Sequence, residues 1–526
     1  MKLIKQILTV LALGLALACA SGCQDEMAEE ITGLDLYRCL QPMNLDAKVS
    51  SSLGDVVTFS WDVAKDAEHY TLVVYTDEAM SSEYMHEELE PSQVPFTVKL
   101  TADSNYYFKV QATSSKKKES NWAVYSKAIK TFAVKDPLFL KVAERAADAI
   151  TVAWSTEVAD FQDVSHIEYG VVGCAAEEIG TKTLSADEIA AGKAVIEGLT
   201  ASTEYDIVLY YMSASRGEVD VWTMPDMSGT TKVSTVAALG QAVADGANIS
   251  LSMDGSPYDL STLNSDARLT LVKGVKILGE ETADGSKPVI KGEMHFADTW
   301  ANGDAVYFEG VEFNGASGTY GFPIQKLNGG TADNIQISSI IFKNCILTGY
   351  SKGLIYEWSK TMTIGELTWD SCDINNINSD GSGGGDVIDF RGNSQVDKLN
   401  IVNNTIYQGM RTFVRIDAGT WGDVKFENNT IMNLCFVDNT NNAGIFGLQV
   451  VPASFSFKNN LFLNMEGKAT LASANTKYKT ADDLAVAASN NWFYNVVETF
   501  FTDTFPFAKA GATTLGADPC YNAKGG

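Results

Sequence analysis

The C-terminal half of the chain alternates apolar and polar residues in short bursts, each broken by a small polar pair. The bursts read IIFKNCILTG from Ile340, ELTWDSCDIN from Glu366, KLNIVNNTIY from Lys398, VKFENNTIMN from Val424 and FSFKNNLFLN from Phe455, and VYFEGVEFNG from Val306 is a looser copy. The pairs Asn344-Cys345, Ser371-Cys372, Asn403-Asn404, Asn428-Asn429, Asn459-Asn460 and Asn490-Asn491 recur every 25 to 32 residues. A period of that size, made of strands and turns without helical spacing, predicts a solenoid in which each coil buries its apolar face on the next. The expected fold is a parallel β-helix with the polar pairs at one corner. Asn tolerates left-handed backbone there, and stacked side-chain amides can bond along the ladder, so the pairs read as scaffold.

The N-terminal half alternates with a different rhythm. Residues 40–133 contain VVTFSWDVA around Trp61, HYTLVVY around Tyr70 and YYFKVQA around Phe108. Residues 136–232 repeat the plan with ITVAWS around Trp154, IEYGVV around Tyr169 and YDIVLYY around Leu209. In both, a Leu precedes a Tyr by six positions before an alternating strand: Leu100 to Tyr106 and Leu199 to Tyr205. That spacing, with a Trp one strand pair earlier, resembles the fibronectin type III sandwich and its tyrosine corner. These modules hold no catalytic constellation, since His69, His86 and His166 stand alone. They read as spacers, with Trp122 and Trp222 as the aromatics that would touch a glycan if exposed.

The third module, 233–526, begins TVAALGQAVADGANISLSMDGSPYDLSTL from Thr235 and continues RLTLVKGVKILGE from Arg268. Val236, Leu239 and Val243 share one helical face, as a short helix capping the open end of a solenoid requires. A strand, a turn at Gly255 and Tyr258, and a Leu-Thr-Leu strand follow. This order resembles the start of pectate-lyase-like right-handed parallel β-helix proteins. The fold class expected for the whole is therefore all-β: two fibronectin type III-like β-sandwiches, then a right-handed parallel β-helix.

The extreme N-terminus changes the setting. Met-Lys-Leu-Ile-Lys and the apolar run from Ile7 to Ala18 have the layout of an export signal, too short to serve as a membrane span. The run ends in Ala20-Ser21-Gly22-Cys23, which resembles a bacterial lipoprotein signal over 1–22 with Cys23 as the lipidated residue; Cys19 is the alternative. An acidic linker, 23–39, opens with Gln-Asp-Glu-Met-Ala-Glu-Glu, similar to the segment that sends Bacteroidetes-type lipoproteins to the outer surface. The assembled chain resembles surface lipoproteins encoded beside polysaccharide-utilisation machinery. The resemblance implies an outer-membrane lipid anchor, an exterior location, a polysaccharide ligand and other glycan-utilisation surface proteins as partners.

Charge narrows the ligand. The 526 residues carry 39 Lys and Arg against 66 Asp and Glu, a net charge of −27 that disfavours nucleic acid. Of the cysteines, Cys39, Cys174, Cys345, Cys372, Cys435 and Cys520 lie beyond the signal without zinc-site spacing. Cys345 and Cys372 occupy equivalent positions on successive coils, about 4.8 Å apart. They read as stacked buried thiols, with a disulfide as the alternative.

Counting back from each Asn corner aligns Ile355–Ser359, Val387–Arg391, Phe413–Asp417 and Ile445–Gln449. Tyr356, Ile388, Val414 and Phe446 then fall in one apolar row, and Trp358, Phe390, Ile416 and Leu448 in another. Alternation sends Glu357, Asp389 and Arg415 outward in one row and Ser359, Arg391, Asp417 and Gln449 in the next. A register one residue different would exchange the sets around Glu357. Each strand follows a polar or glycine-rich loop, including Gly-Ser-Gly-Gly-Gly before Asp386, so loops would wall a groove beside this patch. Lys352, Tyr350, Tyr407 and Arg411 would line it.

Three readings of the patch stand. Cross-strand pairs Asp389–Arg415 and Arg391–Asp417, about 0.2–1 kcal/mol each, would make it structural, as in an adhesin or scaffold. Arginine forks and acids would suit capture of a uronic-acid-containing polysaccharide, with Lys352, Gln449, Tyr350 and Arg411 as contacts. Resemblance to lyases implies Ca²⁺ on Glu357, Asp389 and Asp417, with Arg415 or Arg391 as base; no lyase motif stands here, and neighbouring acids oppose the lowered pKa such a base needs. Hydrolysis ranks lower, because the arginines would keep both Asp389 and Asp417 ionised when one acid must stay protonated.

Overall fold

A computed structural model of the protein describes residues 37–326, 334–357, 361–378, 386–409, 411–434, 444–465, 470–472, 486–496, 500 and 512–515. Residues 1–36 with Cys23, Trp358 and Ser359, the 381–385 glycine run, Cys435 and Cys520 lie outside them. Apolar side chains gather into three cores, one per module.

The first two modules are antiparallel sandwiches. In the first, Val56–Asp62 lies between Met43–Val49 and Phe96–Lys99, facing a sheet in the order Glu83–Leu89, His69–Tyr75, Asn105–Thr113, Ala123–Val124. The second repeats this order, with Ala149–Trp154 central to one sheet and His166–Val171 beside Glu204–Tyr211 in the other. Trp61 and Trp154 are buried. Tyr106 Oη accepts from the Thr101 amide at 3.0 Å, and Tyr205 Oη from the Thr200 amide at 3.0 Å, beside buried Leu100 and Leu199. Sheet order and these corners are those of fibronectin type III domains.

The third module is a parallel β-solenoid. One ten-stranded sheet runs from Thr231–Val233 to Val486–Ser489 and a second from Tyr258–Asp259 to Ala512–Thr514. A third face comes in two blocks, Arg268–Leu271, Glu293–Phe296 and Ile324–Lys326, then Ile355–Glu357, Ile388–Phe390, Thr412–Ile416 and Gly444–Leu448. Ile324–Lys326 and Ile355–Glu357 lie side by side, which joins the blocks. The helix Val236–Asp245 starts at Thr235, whose hydroxyl accepts from the Ala238 amide, and stops at left-handed Gly246. It buries Leu239, Ala242 and Val243 on the solenoid core.

The corner between the first two sheets shows why the polar pairs recur. Asn344, Ser371, Asn403, Asn428, Asn459 and Asn490 all have φ between 48° and 59°, the conformation Asn adopts at least cost among ordinary residues. The second member of each pair points inward. Asn429 Oδ1 accepts from the Asn404 amide and side chain, Asn460 Oδ1 does the same for Asn429, and Asn491 Oδ1 for Asn460. Each Nδ2 also reaches a backbone carbonyl of the preceding coil, such as Asn429 to Ile401 at 2.9 Å. Cys345 and Cys372 fill the earlier steps as free, buried thiols. Left-handed residues recur four positions after the inward member, at Asn376, Gln408, Asn433, Asn464 and Asn495, a second corner that the pair pattern does not announce.

The second sandwich is bolted to the solenoid. Buried Glu281 accepts from Arg145 at 2.8 Å and from Asn344 at 2.7 Å, and pairs with Lys287 at 3.1 Å. Lys343 donates to the Ser202 carbonyl at 2.8 Å and lies over the Trp222 ring. Trp222 thus faces the solenoid, while Trp122 lies under Lys109 within the first sandwich, so the two aromatics expected as glycan contacts have protein partners.

Candidate functional site

The third face carries the expected charges, with a different first member. Ile355, Ile388, Val414 and Phe446 form the inward row, since Ile355 pairs with Ile388, Ile388 with Val414 and Val414 with Phe446. Tyr356 therefore opposes Asp389, and Asp389 opposes Arg415. Glu357 opposes inward Phe390 and is buried, with Oε2 accepting from the Gly392 amide at 3.0 Å. The expectation that Glu357 points outward is corrected. Ile355 satisfies the apolar row better than amphipathic Tyr356, and a one-residue shift exchanges faces.

The charges pair along strands and through the loop, not in the cross-strand pairs expected. Arg391 takes both oxygens of Asp389, with Nε at 2.8 Å from Oδ1 and NH2 at 2.6 Å from Oδ2. Arg415 takes Asp417 in the same way, NH2 reaching Oδ2 at 2.6 Å, while Gln449 donates to Asp417 Oδ1 at 2.9 Å. Asp386 ties the patch together. It is 0 % exposed, accepts from Arg411 Nε at 2.7 Å and NH2 at 2.8 Å, accepts from Arg415 NH1 at 3.1 Å and lies 3.7 Å from Arg391 NH2. Asp386 was not among the expected residues. With Glu357 outward, the expected acids already matched the arginines at 391, 411 and 415; only once Glu357 turns inward do three arginines face two outward acids, Asp389 and Asp417, and a buried cluster needs its charges matched.

The electrostatics follow. Burial pushes the Asp389 carboxyl above the ordinary aspartate value, with Arg391 opposing the rise. Burial works against the charge on Arg391 and Arg415, but Asp389 for the one, and Asp417 with Asp386 for the other, hold both above the usual arginine range. Guanidinium groups so held are permanent cations and poor bases at neutral pH. The Ca²⁺ set does not fit either. Glu357 faces inward, the oxygens of Asp389 and Asp417 are taken by arginine, and no group of three metal-ligating side chains occurs among the described residues.

The expected contacts divide. Lys352 is exposed beside Gly321, and Gln449 is half-buried on Asp417. Tyr350 is buried with its hydroxyl on the Gly292 carbonyl at 3.0 Å, so it is core and not a groove wall. Arg411 is buried on Asp386 and acts as a prop. Tyr407 belongs to the second sheet, where its hydroxyl reaches Asp373 at 3.4 Å, away from this face. The accessible surface is the outer edges of Arg391 and Arg415, whose side chains keep 24 % and 17 % exposure, with Tyr356 between Phe322 and Arg391.

Comparison with known proteins assigns no activity. Residues 257–409 match a family described as a domain of unknown function (DUF4957). No curated protein matches the chain significantly. Among solved structures, the chicken CNTN1 FN1–FN3 domains are 16% identical, covering 35% of this chain and 67% of that one with a TM-score of 0.24. A two-domain fibronectin type III segment of chicken tenascin is also 16% identical, covering 34% and 97% with a TM-score of 0.17.

Proposed function

We propose that the protein captures or presents a uronic-acid-containing polysaccharide without turning it over, on the third face of its solenoid. The observation that carries this reading is the fixing of Arg391 and Arg415. Each is held from below by carboxylates, keeps a permanent charge and leaves an outer edge accessible, Arg391 lying over the Tyr356 ring. Pre-oriented forks suit carboxylate and hydroxyl recognition, whereas proton abstraction needs a base that these neighbours deny. The two sandwiches then serve as spacers from an outer-membrane anchor at Cys23 facing the cell exterior, alongside other glycan-utilisation surface proteins.

The test is affinity electrophoresis of the chain from Cys23 onward in gels carrying pectic, alginate or glucuronan polysaccharides, with Ca²⁺ and with chelator, while absorbance of unsaturated uronate is followed. Retardation without new absorbance is expected. Arg391→Gln and Lys352→Ala should each weaken retention, Arg391→Gln by about tenfold if one charged hydrogen bond of about 1.5 kcal/mol is lost. Ca²⁺-dependent absorbance would establish a lyase instead, and mobility unchanged on every polysaccharide would leave a structural scaffold.

A further inference from the structure

A second polar centre lies on the same face, in coils that the charge patch does not reach. On Glu293–Phe296, Met294 and Phe296 enter the core, so Glu293 and His295 point the other way, yet His295 is only 1 % exposed. His295 Nε2 lies 2.6 Å from Glu293 Oε2, and Glu293 Oε1 accepts from the Gly321 amide at 2.7 Å. Gln325, opposite His295 on the next strand, places its amide nitrogen 3.2 Å from Glu293 Oε2. Arg268, opposite Glu293 on the preceding strand, is held by a 3.8 Å contact to Asp266.

Burial and the nearby Arg268 charge push His295 below the ordinary histidine value, Glu293 opposing. Burial also penalises the Glu293 charge, but His295 and the Gly321 amide hold its carboxyl below the ordinary glutamate value. The pair is therefore carboxylate and neutral imidazole. Glu293 claims the Nε2–H, which leaves Nδ1 as a bare acceptor. Among the described residues, His295 Nδ1 and Arg268 Nε are both buried without a hydrogen-bond partner. Unpaired buried polar atoms are uncommon and each costs about 1–3 kcal/mol. Here an acceptor and a donor are left on neighbouring strands of one face.

We infer that Arg268 and His295 form a second subsite for the same glycan: one sugar hydroxyl donates to His295 Nδ1, a neighbouring one accepts from Arg268 Nε–H, and the polysaccharide runs along the solenoid axis. This rests on the function proposed above and adds direction and length to it. Four strand steps separate Glu293–Phe296 from Thr412–Ile416, about 19 Å at the usual strand spacing. Gln325 and Tyr356 lie between, on successive strands. Both unpaired atoms are shielded, so entry requires the Arg268 side chain, partly exposed and weakly tied to Asp266, to swing aside. Glu293 is a positioning residue that sets the imidazole tautomer.

The test uses the full chain from Cys23 onward with size-graded oligogalacturonides and oligoalginates. Affinity should rise with length until the ligand spans about 19 Å to the His295 strand and about 24 Å to the Arg268 strand, and then level off. His295→Gln and Arg268→Gln should lose the gain from length while short oligomers bind as before; Arg268→Gln, at a partly exposed position, guards against a folding defect. With four histidines in the chain, ¹⁵N-imidazole spectra should show one Nδ1 signal moving upon binding of long but not short oligomers. If the wild type binds but both variants keep the length dependence and no imidazole signal moves, the subsite is refuted and the binding function stands. If the wild type binds no oligomer or polymer, the function itself falls and the subsite with it.

Discussion

Replacing Asp386 with Asn removes one negative charge from a closed set. Asp386, Asp389 and Asp417 face Arg391, Arg411 and Arg415, three against three, so the variant leaves a net positive charge within a buried network. Arg391 keeps Asp389 and Arg415 keeps Asp417, so the loss falls mainly on Arg411, whose fork sits on both Asp386 oxygens. An asparagine amide turns a donor toward that fork. Removing one partner of a buried ion pair costs about 3–5 kcal/mol, whereas replacing the pair with apolar groups of like volume is often near neutral. Asp386→Asn should therefore lower the local opening free energy of residues 386–417 by about 3–5 kcal/mol, and Asp386→Leu with Arg411→Met by much less. Hydrogen-exchange mass spectrometry on peptides from this region reads the quantity without assuming that three modules unfold together. A loss below about 1 kcal/mol for Asp386→Asn would refute the view that this carboxylate props the arginines, since that is all an exposed pair contributes. So would equal damage in the double variant.

Two further outcomes follow from other elements. Asn429→Ala leaves the Asn404 amide and the Ile401 carbonyl without their buried partners, so exchange in residues 399–434 should accelerate by an opening-energy loss of about 2–6 kcal/mol, two groups at 1–3 each. In the second sandwich, the Ser185 amide and Lys182 hold Glu188 down at about 2. The stability this gives is present above the unfolded value, about 4.3, and is lost as pH falls toward about 2, so Glu188→Gln should flatten the acid limb of that module's melting temperature.

The scaffold was legible because it repeats. Each of six corners states the same demand, left-handed backbone followed by a small inward polar residue, an amide in four and a thiol in two, and the repetition makes it visible in the letters. The site was less legible because it does not. Ile355–Glu357 is three residues long, and both Ile355 and Tyr356 can pass for an inward residue, so parity placed Glu357 on the wrong face. Partner choice was hidden for another reason. An arginine can reach an acid two residues away on its own strand as easily as one across the ladder, and Asp386, which bonds Arg411 and Arg415, was not counted among the partners. His295 and Arg268 were missed because nothing in their spacing distinguishes a paired nitrogen from a bare one.

The asparagine corner makes length a free variable. Every link in the ladder joins one coil to the next by the same bonds, from Asn404 through Asn429 and Asn460 to Asn491, and none refers to a fixed end. Duplication or deletion of a whole coil would preserve each junction while shifting everything beyond it by one step. A solenoid built on this corner can therefore change the distance between its first and last coils without redesigning a single turn.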